Sequence, residues 1–82
     1  MSKKLDAAIE LAQLHWEVVN MFGTDMETDV FPFIQENWNK GHELFYILER
    51  KDYGSYVPYV MKHFTLKQIN QFFEELSFCI EF

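Results

Sequence analysis

Helix breakers are scarce in this chain, and their scarcity limits the possible folds more than any other feature. Only three glycines and two prolines interrupt 82 residues, too few for the many turns of a multi-stranded β fold. Hydrophobic residues make up 49 % of the chain and aromatic residues 18 %, a composition too apolar for a disordered protein. We therefore predict an all-α fold, a small irregular bundle of four helices, in one domain over residues 1–82.

The first helix is predicted over residues 3–22, with Ser2 as its N-terminal cap and Gly23 at its end. At about 100° per residue, one narrow face of this helix is polar and the remaining arc is apolar. The arc is wider than a surface helix needs, so the helix is either central to the fold or partly covered by a second copy in a homodimer. The narrow face, called the polar stripe below, consists of Asp6, Glu10, Gln13, Glu17 and Asn20.

A second long helix is predicted over residues 30–51, with Pro32 in its first turn. Gly41 lies on the apolar face of this segment and has two interpretations. It lets another helix backbone approach closely, or it divides the segment into two helices with Asn39 capping the second. The continuous helix is favoured, because an interior glycine costs only about 1 kcal/mol relative to alanine.

Two more helices are predicted after the turn signal at residues 52–55. Ser55 is expected to cap a short helix over residues 56–63. Thr65 and Gln68 have the spacing of a capping box for a last helix over residues 66–79. The bundle therefore has two long helices, one short and one of medium length.

The acidic connection after Gly23 is a candidate metal site. Val30 stands where an EF-hand loop needs glycine for its sharp turn, and Pro32 follows two residues later. We therefore favour a solvated connection without a metal and keep calcium binding as a weaker alternative. Four carboxylates occupy positions 1, 3, 5 and 12 of the EF-hand-like register: Asp25, Glu27, Asp29 and Glu36.

The three histidines do not have the spacing of a zinc or di-iron motif. His15 lies in the apolar arc of the first helix, so we predict a packed and hydrogen-bonded core residue. His42 and His63 are expected at the surface or beside carboxylates. The histidines therefore predict no zinc or di-iron site.

No combination of side chains predicts a catalytic centre. Cys79 lies near the end of a helix, where the helix dipole raises the pKa of a thiol. The side chains of Glu74 and Glu75 point about 100° apart on one helix, so the two carboxylates are not placed to act together in general acid–base catalysis. We expect no enzymatic activity, no catalytic residues and no cofactor.

Cysteine usage and hydropathy predict a cytoplasmic protein. Cys79 is the only cysteine, and a small protein of an oxidising compartment would more often carry pairs. Asp6 and Glu10 interrupt the apolar stretch that a signal peptide would need. The longest apolar runs, such as residues 44–48, fall far short of the ~20 residues that cross a bilayer.

Charge is the most informative functional signal. The net charge of −6 disfavours direct binding to nucleic acid and to anionic membranes. Residues 5–49 hold nine acidic side chains and one basic side chain, Lys40. One interpretation is a solvated face that keeps an apolar protein soluble, and the other is a docking surface for a basic protein. The candidate acidic contacts on the two long helices are Asp6, Glu10, Glu17, Glu36 and Glu43, the last two in one row at a spacing of seven.

Tyrosines near the turn at residues 52–55 support the docking interpretation. Tyr53, Tyr56 and Tyr59 are hard to bury together, and tyrosine is enriched at the energetic centres of interfaces. Tyr53 and Tyr56 therefore join the candidate partner contacts. The alternative is that Tyr59, with or without Tyr56, packs on the core.

The leading functional hypothesis is a small acidic inhibitor or adaptor that binds a basic, nucleic-acid-handling protein. Immunity proteins, antitoxins and phage counter-defence factors are of this physical type. The first alternative is a helical module that assembles with itself, motivated by the apolar arc of the first helix and by Gly41. Calcium binding is the weakest of the three hypotheses.

Overall fold

The fold is all-α, as predicted. The computed structural model describes residues 2–23 and 30–80, and these contain five α-helices, one 3₁₀ turn at Tyr53–Ser55 and no strand. None of the described helices is both long and apolar enough to cross a bilayer. The helices are α1 (Lys3–Phe22), α2 (Pro32–Glu36), α3 (Trp38–Glu49), α4 (Tyr56–His63) and α5 (Leu66–Ile80).

Helix α1 begins and ends where its capping residues predict. The hydroxyl oxygen of Ser2 accepts a hydrogen bond from the Leu5 backbone N–H at 3.2 Å. Gly23 ends the helix with a φ of 78°, and its N–H donates to the Val19 carbonyl at 2.7 Å. The helix packs most extensively on α5 and next on α4, so the centre of its wide apolar arc is buried within the same chain, whereas Leu5 and Ile9 at one edge remain 39 % and 41 % exposed.

The predicted continuous helix over residues 30–51 is wrong. The chain leaves helical geometry at Asn37, with φ −128° and ψ 59°, and this break separates α2 from α3. Asn39 is therefore inside α3 and does not cap it. The break lets α2 fold against α3. The side-chain amide of Asn37 donates to the Phe33 carbonyl at 3.1 Å, and its side-chain oxygen accepts from Gln68 of α5 at 3.3 Å, so the break is tied to both α2 and α5.

Gly41 permits a close approach, although by a side chain and not by a helix backbone. A Cβ atom at this position would lie 2.5 Å from Cγ1 of Ile34 on α2. Gly41 is buried in the interior of α3 and does not break the helix. It is thus the position at which the two segments of the predicted helix pack together.

Helices α4 and α5 follow the predicted bounds, but only one of their predicted caps is present. Thr65 and Gln68 form the reciprocal capping box, with N–H to side-chain oxygen distances of 2.9 and 3.2 Å. Ser55 does not cap α4, because it belongs to the 3₁₀ turn and its hydroxyl donates to the Asp52 carboxylate at 2.8 Å.

Aromatic rings from three parts of the chain meet in the core. The ring of Phe33 stacks on Phe72 at 4.8 Å between centroids and on Phe64 at 5.4 Å. The carboxylate of Glu75 on α5 accepts a hydrogen bond from the Phe33 backbone N–H at 2.9 Å, in the first turn of α2. These contacts fix α2 on α5 and thereby set the direction in which α3 leaves the break at Asn37.

Candidate partner-binding surface

The acidic members of the polar stripe face solvent. Asp6, Glu10 and Glu17 are all exposed on the side of α1 that points away from its buried residues. Within residues 2–23 and 30–80, the one ion pair joins Arg50 to Glu43 at 3.3 Å. The negative charge of the stripe is therefore not neutralised by any described lysine or arginine at ion-pair distance.

Glu36 and Glu43 do not form the row that a continuous helix would have made. Glu36 is exposed on α2, whereas Glu43 lies on α3 beyond the break at Asn37. The side chain of Glu43 is 36 % exposed and pairs with Arg50, itself 54 % exposed. The two carboxylates therefore belong to different parts of the surface.

The structure separates the two predicted tyrosine contacts. Tyr53 is 46 % exposed and packs edge-on against Trp16 of α1, with 4.7 Å between ring centroids. Tyr56 is only 1 % exposed, so its assignment as a partner contact is corrected. Its hydroxyl is held inside the core by His15, which occupies the buried, hydrogen-bonded position predicted for it.

The 3₁₀ turn packs on α4 and α3, and the ring of Tyr53 reaches from it to Trp16 on α1, beside the polar stripe. Trp16 and Tyr53 together line two adjoining shallow grooves of about 250 and 460 Å³, with Leu48 at their floor. Gln13 borders the first groove and Asn20 the second, and both belong to the stripe. The stripe and the Trp16–Tyr53 pair thus form one continuous surface with charge along one side and aromatic area along the other.

A second surface feature, the α3–α4 cleft, was not predicted from the sequence. This open cleft has a volume of about 490 Å³. Trp38, His42 and Tyr46 follow one another at intervals of four residues along α3, a spacing that could have revealed an aromatic ridge. The residues that line the cleft are Trp38, Asn39, His42, Glu43 and Tyr46 of α3 and Tyr59 of α4.

The aromatic ridge of the cleft is exposed, yet one of its polar atoms is not. Trp38 is 54 % exposed and Tyr46 49 %. His42 lies between them, with its ring centroid 4.2 Å from that of Trp38 and 6.3 Å from that of Tyr46. Nε2 of His42 is buried and has no hydrogen-bond partner among the described residues.

Among the described residues, one carboxylate lines the cleft, that of Glu43, and it pairs with Arg50 at 3.3 Å. Partial burial raises the pKa of the Tyr59 hydroxyl, and the negative charge of Glu43 raises it further. This second effect arises because a carboxylate disfavours a second negative charge nearby. A cation entering the cleft would instead be attracted by the carboxylate of Glu43 and by the faces of the aromatic rings.

Metal binding and thiol chemistry have no support in the described residues. No group of three metal-ligating side chains comes together within residues 2–23 and 30–80. Asp25, Glu27 and Asp29 of the EF-hand-like register lie outside the described residues, and Glu36 is exposed on α2. Partial burial raises the pKa of Cys79, which is the direction expected for an unreactive thiol.

Comparisons with family models, with curated proteins and with solved structures find no match to this chain. The functional assignment is therefore argued from the charge, exposure and shape of the two surfaces. One surface is the polar stripe with Trp16 and Tyr53, and the other is the α3–α4 cleft with Glu43.

Proposed function

We propose that this protein is a small acidic binding module, an inhibitor or adaptor that docks on a basic partner protein. The observation that carries the proposal is the exposed row of Asp6, Glu10 and Glu17, which no described base neutralises. Like charges at helical spacing destabilise a helix by about 0.2–0.5 kcal/mol per pair, so folding alone does not favour such a row. A cationic partner surface would supply the missing counter-charges.

The aromatic pair beside the stripe supplies the apolar area that such a complex needs. Charge complementarity mainly accelerates association, whereas buried aromatic contacts hold a complex together. Tyr53 is half exposed and Trp16 partly buried, so a partner seated on the stripe would cover both rings with little rearrangement. Asp6, Glu10 and Glu17 would then guide the approach, and Tyr53 would contribute most to the lifetime of the complex.

The partner class follows from the sign of the charge. With a net charge of −6, the module repels nucleic acid but fits the phosphate-binding surface of a protein that handles it. Blocking such a surface is the action of an immunity protein, an antitoxin or a phage counter-defence factor. The proposal places the module in the reducing cytoplasm, where its lone Cys79 stays a thiol, and leaves any catalysis to the partner.

The test is affinity capture from source cells, followed by association kinetics with the captured protein at several salt concentrations. The wild-type association rate should fall as ionic strength rises. Glu10→Gln should lower the rate at low salt and flatten the salt dependence. The matched control is Glu74→Gln, which removes one exposed charge from α5 and should leave the rate unchanged. A partner that associates equally fast at every salt concentration would refute the proposal.

Self-assembly through α1 remains the second candidate, and one observation favours it. Leu5 is 39 % exposed and Ile9 41 %, and at helical spacing they lie in one row with Ala12 and Trp16. A second copy would bury this row. Sedimentation analysis should then show a dimer that Ile9→Glu dissociates, and a monomer at high concentration would eliminate this candidate.

A further inference from the structure

We propose that the α3–α4 cleft receives the guanidinium group of an arginine side chain presented by the basic partner. This inference rests on the proposed function and adds a specific recognition site to it. A ring of the aromatic ridge formed by Trp38, His42 and Tyr46 would contact a flat face of the guanidinium group, and Glu43 would accept its hydrogen bonds. Tyr59 closes the side of the cleft formed by α4.

Exposed aromatic area is the first observation that carries this inference. Trp38 and Tyr46 stand eight residues apart on the same ridge of α3, and each leaves about half of its surface in water. Ring faces attract cations through their quadrupole, and tryptophan does so most strongly. The chain already uses this contact once nearby, since Nζ of Lys40 lies 5.8 Å from the centre of the Phe64 ring.

The carboxylate of Glu43 is the second observation, and it indicates a cation as the occupant. Its Oε2 takes a single contact from Nη2 of Arg50 at 3.3 Å, and the described residues make no hydrogen bond to Oε1. A guanidinium group therefore already fits one edge of this carboxylate. The contact is exposed on both sides, so a partner's arginine can share or replace it.

The position of His42 between two exposed rings is the third observation. Its buried Nε2 has no hydrogen-bond partner among the described residues. The imidazole spaces the rings of Trp38 and Tyr46 along the ridge. The ridge thus presents three rings in sequence to the cleft, a surface on which a flat cation can stack.

Arginine fits the cleft better than lysine does. The guanidinium group is planar and weakly hydrated, so it stacks on aromatic faces while its edge bonds to a carboxylate. The ammonium group of lysine is compact and strongly hydrated, and it offers no flat face to Trp38 or Tyr46. The cleft should therefore discriminate between two side chains of equal charge.

The experiment is an NMR titration that follows both tryptophan indole N–H signals. Trp38 reports on the cleft and Trp16 on the stripe surface, and the chain has no other tryptophan. Leu48, which neighbours Trp16, lies ten residues and hence about 15 Å along α3 from Trp38. The probes are the capped peptides Gly-Arg-Gly, Gly-Lys-Gly and Gly-citrulline-Gly, in which citrulline is a neutral analogue of arginine, together with capped hexa-arginine.

The expected result is a saturable shift of the Trp38 signal with Gly-Arg-Gly and little change of Trp16. Glu43→Gln should weaken this binding by at least about threefold, as for the loss of one exposed charged contact. Tyr46→Leu should weaken it as well, since leucine keeps apolar area but has no ring face. The matched control Glu36→Gln removes an exposed carboxylate outside the cleft and should change nothing.

The remaining outcomes distinguish this inference from the function on which it rests. If hexa-arginine shifts the backbone amide signals of Asp6, Glu10 and Glu17 but not the indole signal of Trp38, the cleft is not the binding site. The proposed function would then still stand. If the lysine or citrulline peptide shifts Trp38 as strongly as the arginine peptide, guanidinium recognition is refuted. If no probe shifts any signal, the arginine inference is refuted, whereas the proposed function is decided by the salt dependence of association with the captured partner.

Discussion

Nδ1 of His15 on α1 lies 2.7 Å from the hydroxyl oxygen of Tyr56 on α4, and both side chains are 1 % exposed. This hydrogen bond spans 41 positions of the chain and lies beside Phe72, whose ring meets the imidazole edge-on at 5.2 Å. Burial raises the pKa of Tyr56 well above its usual value and lowers that of His15 to about 3. A neutral polar pair thus joins α1 to α4 at the centre of an apolar core.

The first prediction concerns the pH dependence of stability. The pKa of His15 is about 3 in the folded state and 6.5 in the unfolded state, so below pH 6.5 the unfolded chain binds a proton that the native protein excludes. The free energy of unfolding should therefore fall as pH decreases from about 6.5, by up to about 1.4 kcal/mol per pH unit from this group. Urea denaturation at several pH values between 7.5 and 5 measures this change in the free energy of unfolding. In His15→Gln this part of the slope should vanish, and equal slopes in both proteins would contradict the prediction.

The second prediction concerns the other member of the pair. Tyr56→Phe keeps the ring but leaves Nδ1 of His15 buried without its partner, so stability should fall by about 1–3 kcal/mol. Chemical denaturation at pH 7.5 gives the difference in the free energy of unfolding between the wild-type protein and Tyr56→Phe. Tyr53→Phe is the matched control, because Tyr53 is 46 % exposed and its change should stay within about 0.5 kcal/mol. Equal effects of the two substitutions would show that the buried bond contributes nothing.

The third prediction concerns the contact between α2 and α3. Gly41→Ala gains about 1 kcal/mol of helix propensity, but its new methyl group would collide with Cγ1 of Ile34. Overpacking of a core costs about 1–3 kcal/mol, so a net loss of stability is expected. When Gly41→Ala is made in a protein that also carries Ile34→Ala, the smaller side chain leaves space for the new methyl group. Thermal melts should then show that Gly41→Ala costs much less stability than it does in the wild-type protein. Gly54→Ala has nothing within 4 Å of its added Cβ and should leave the melting temperature nearly unchanged.

The fourth prediction compares two adjacent glutamates of α5. Glu75→Ala removes the acceptor of the Phe33 N–H at the start of α2, so a loss of about 0.5–2 kcal/mol is expected, as for other N-terminal caps. Glu74→Ala changes an exposed neighbour and should have little effect. Hydrogen exchange of the Phe33 amide should quicken in the first variant alone. If that exchange rate is unaltered in Glu75→Ala, the carboxylate does not cap α2 in solution.

Most of the helix ends predicted from neighbouring residues are confirmed, and the predicted serine cap of α4 is the exception. Ser2 and Gly23 bound α1, and Thr65 with Gln68 begins α5, because each of these motifs satisfies backbone groups within a few residues. The buried state of His15 was also predictable, since it lies in the apolar arc of α1. Such features need no knowledge of how the helices pack.

The candidate site was only partly predictable. The exposure of Asp6, Glu10 and Glu17 follows from the periodicity of α1. The burial of Tyr56 does not, because no local pattern separates it from exposed Tyr53 three residues earlier. The α3–α4 cleft could not be predicted from α3 alone, because its second wall is formed by Tyr59 of α4.

The sequence by itself determined the helical class, the ends of α1 and α5 and the outward row of acids, since each depends on contacts or periodicity within one helix. Only the tertiary structure decided the break at Asn37, the pairing of His15 with Tyr56 and the assembly of the cleft. No glycine or proline stands at the break. Instead, Ile34 packs on Gly41, Gln68 bonds to Asn37 and Glu75 caps α2. These long-range contacts together outweigh the local preference for one continuous helix, because they join residues that only the packed core brings within reach.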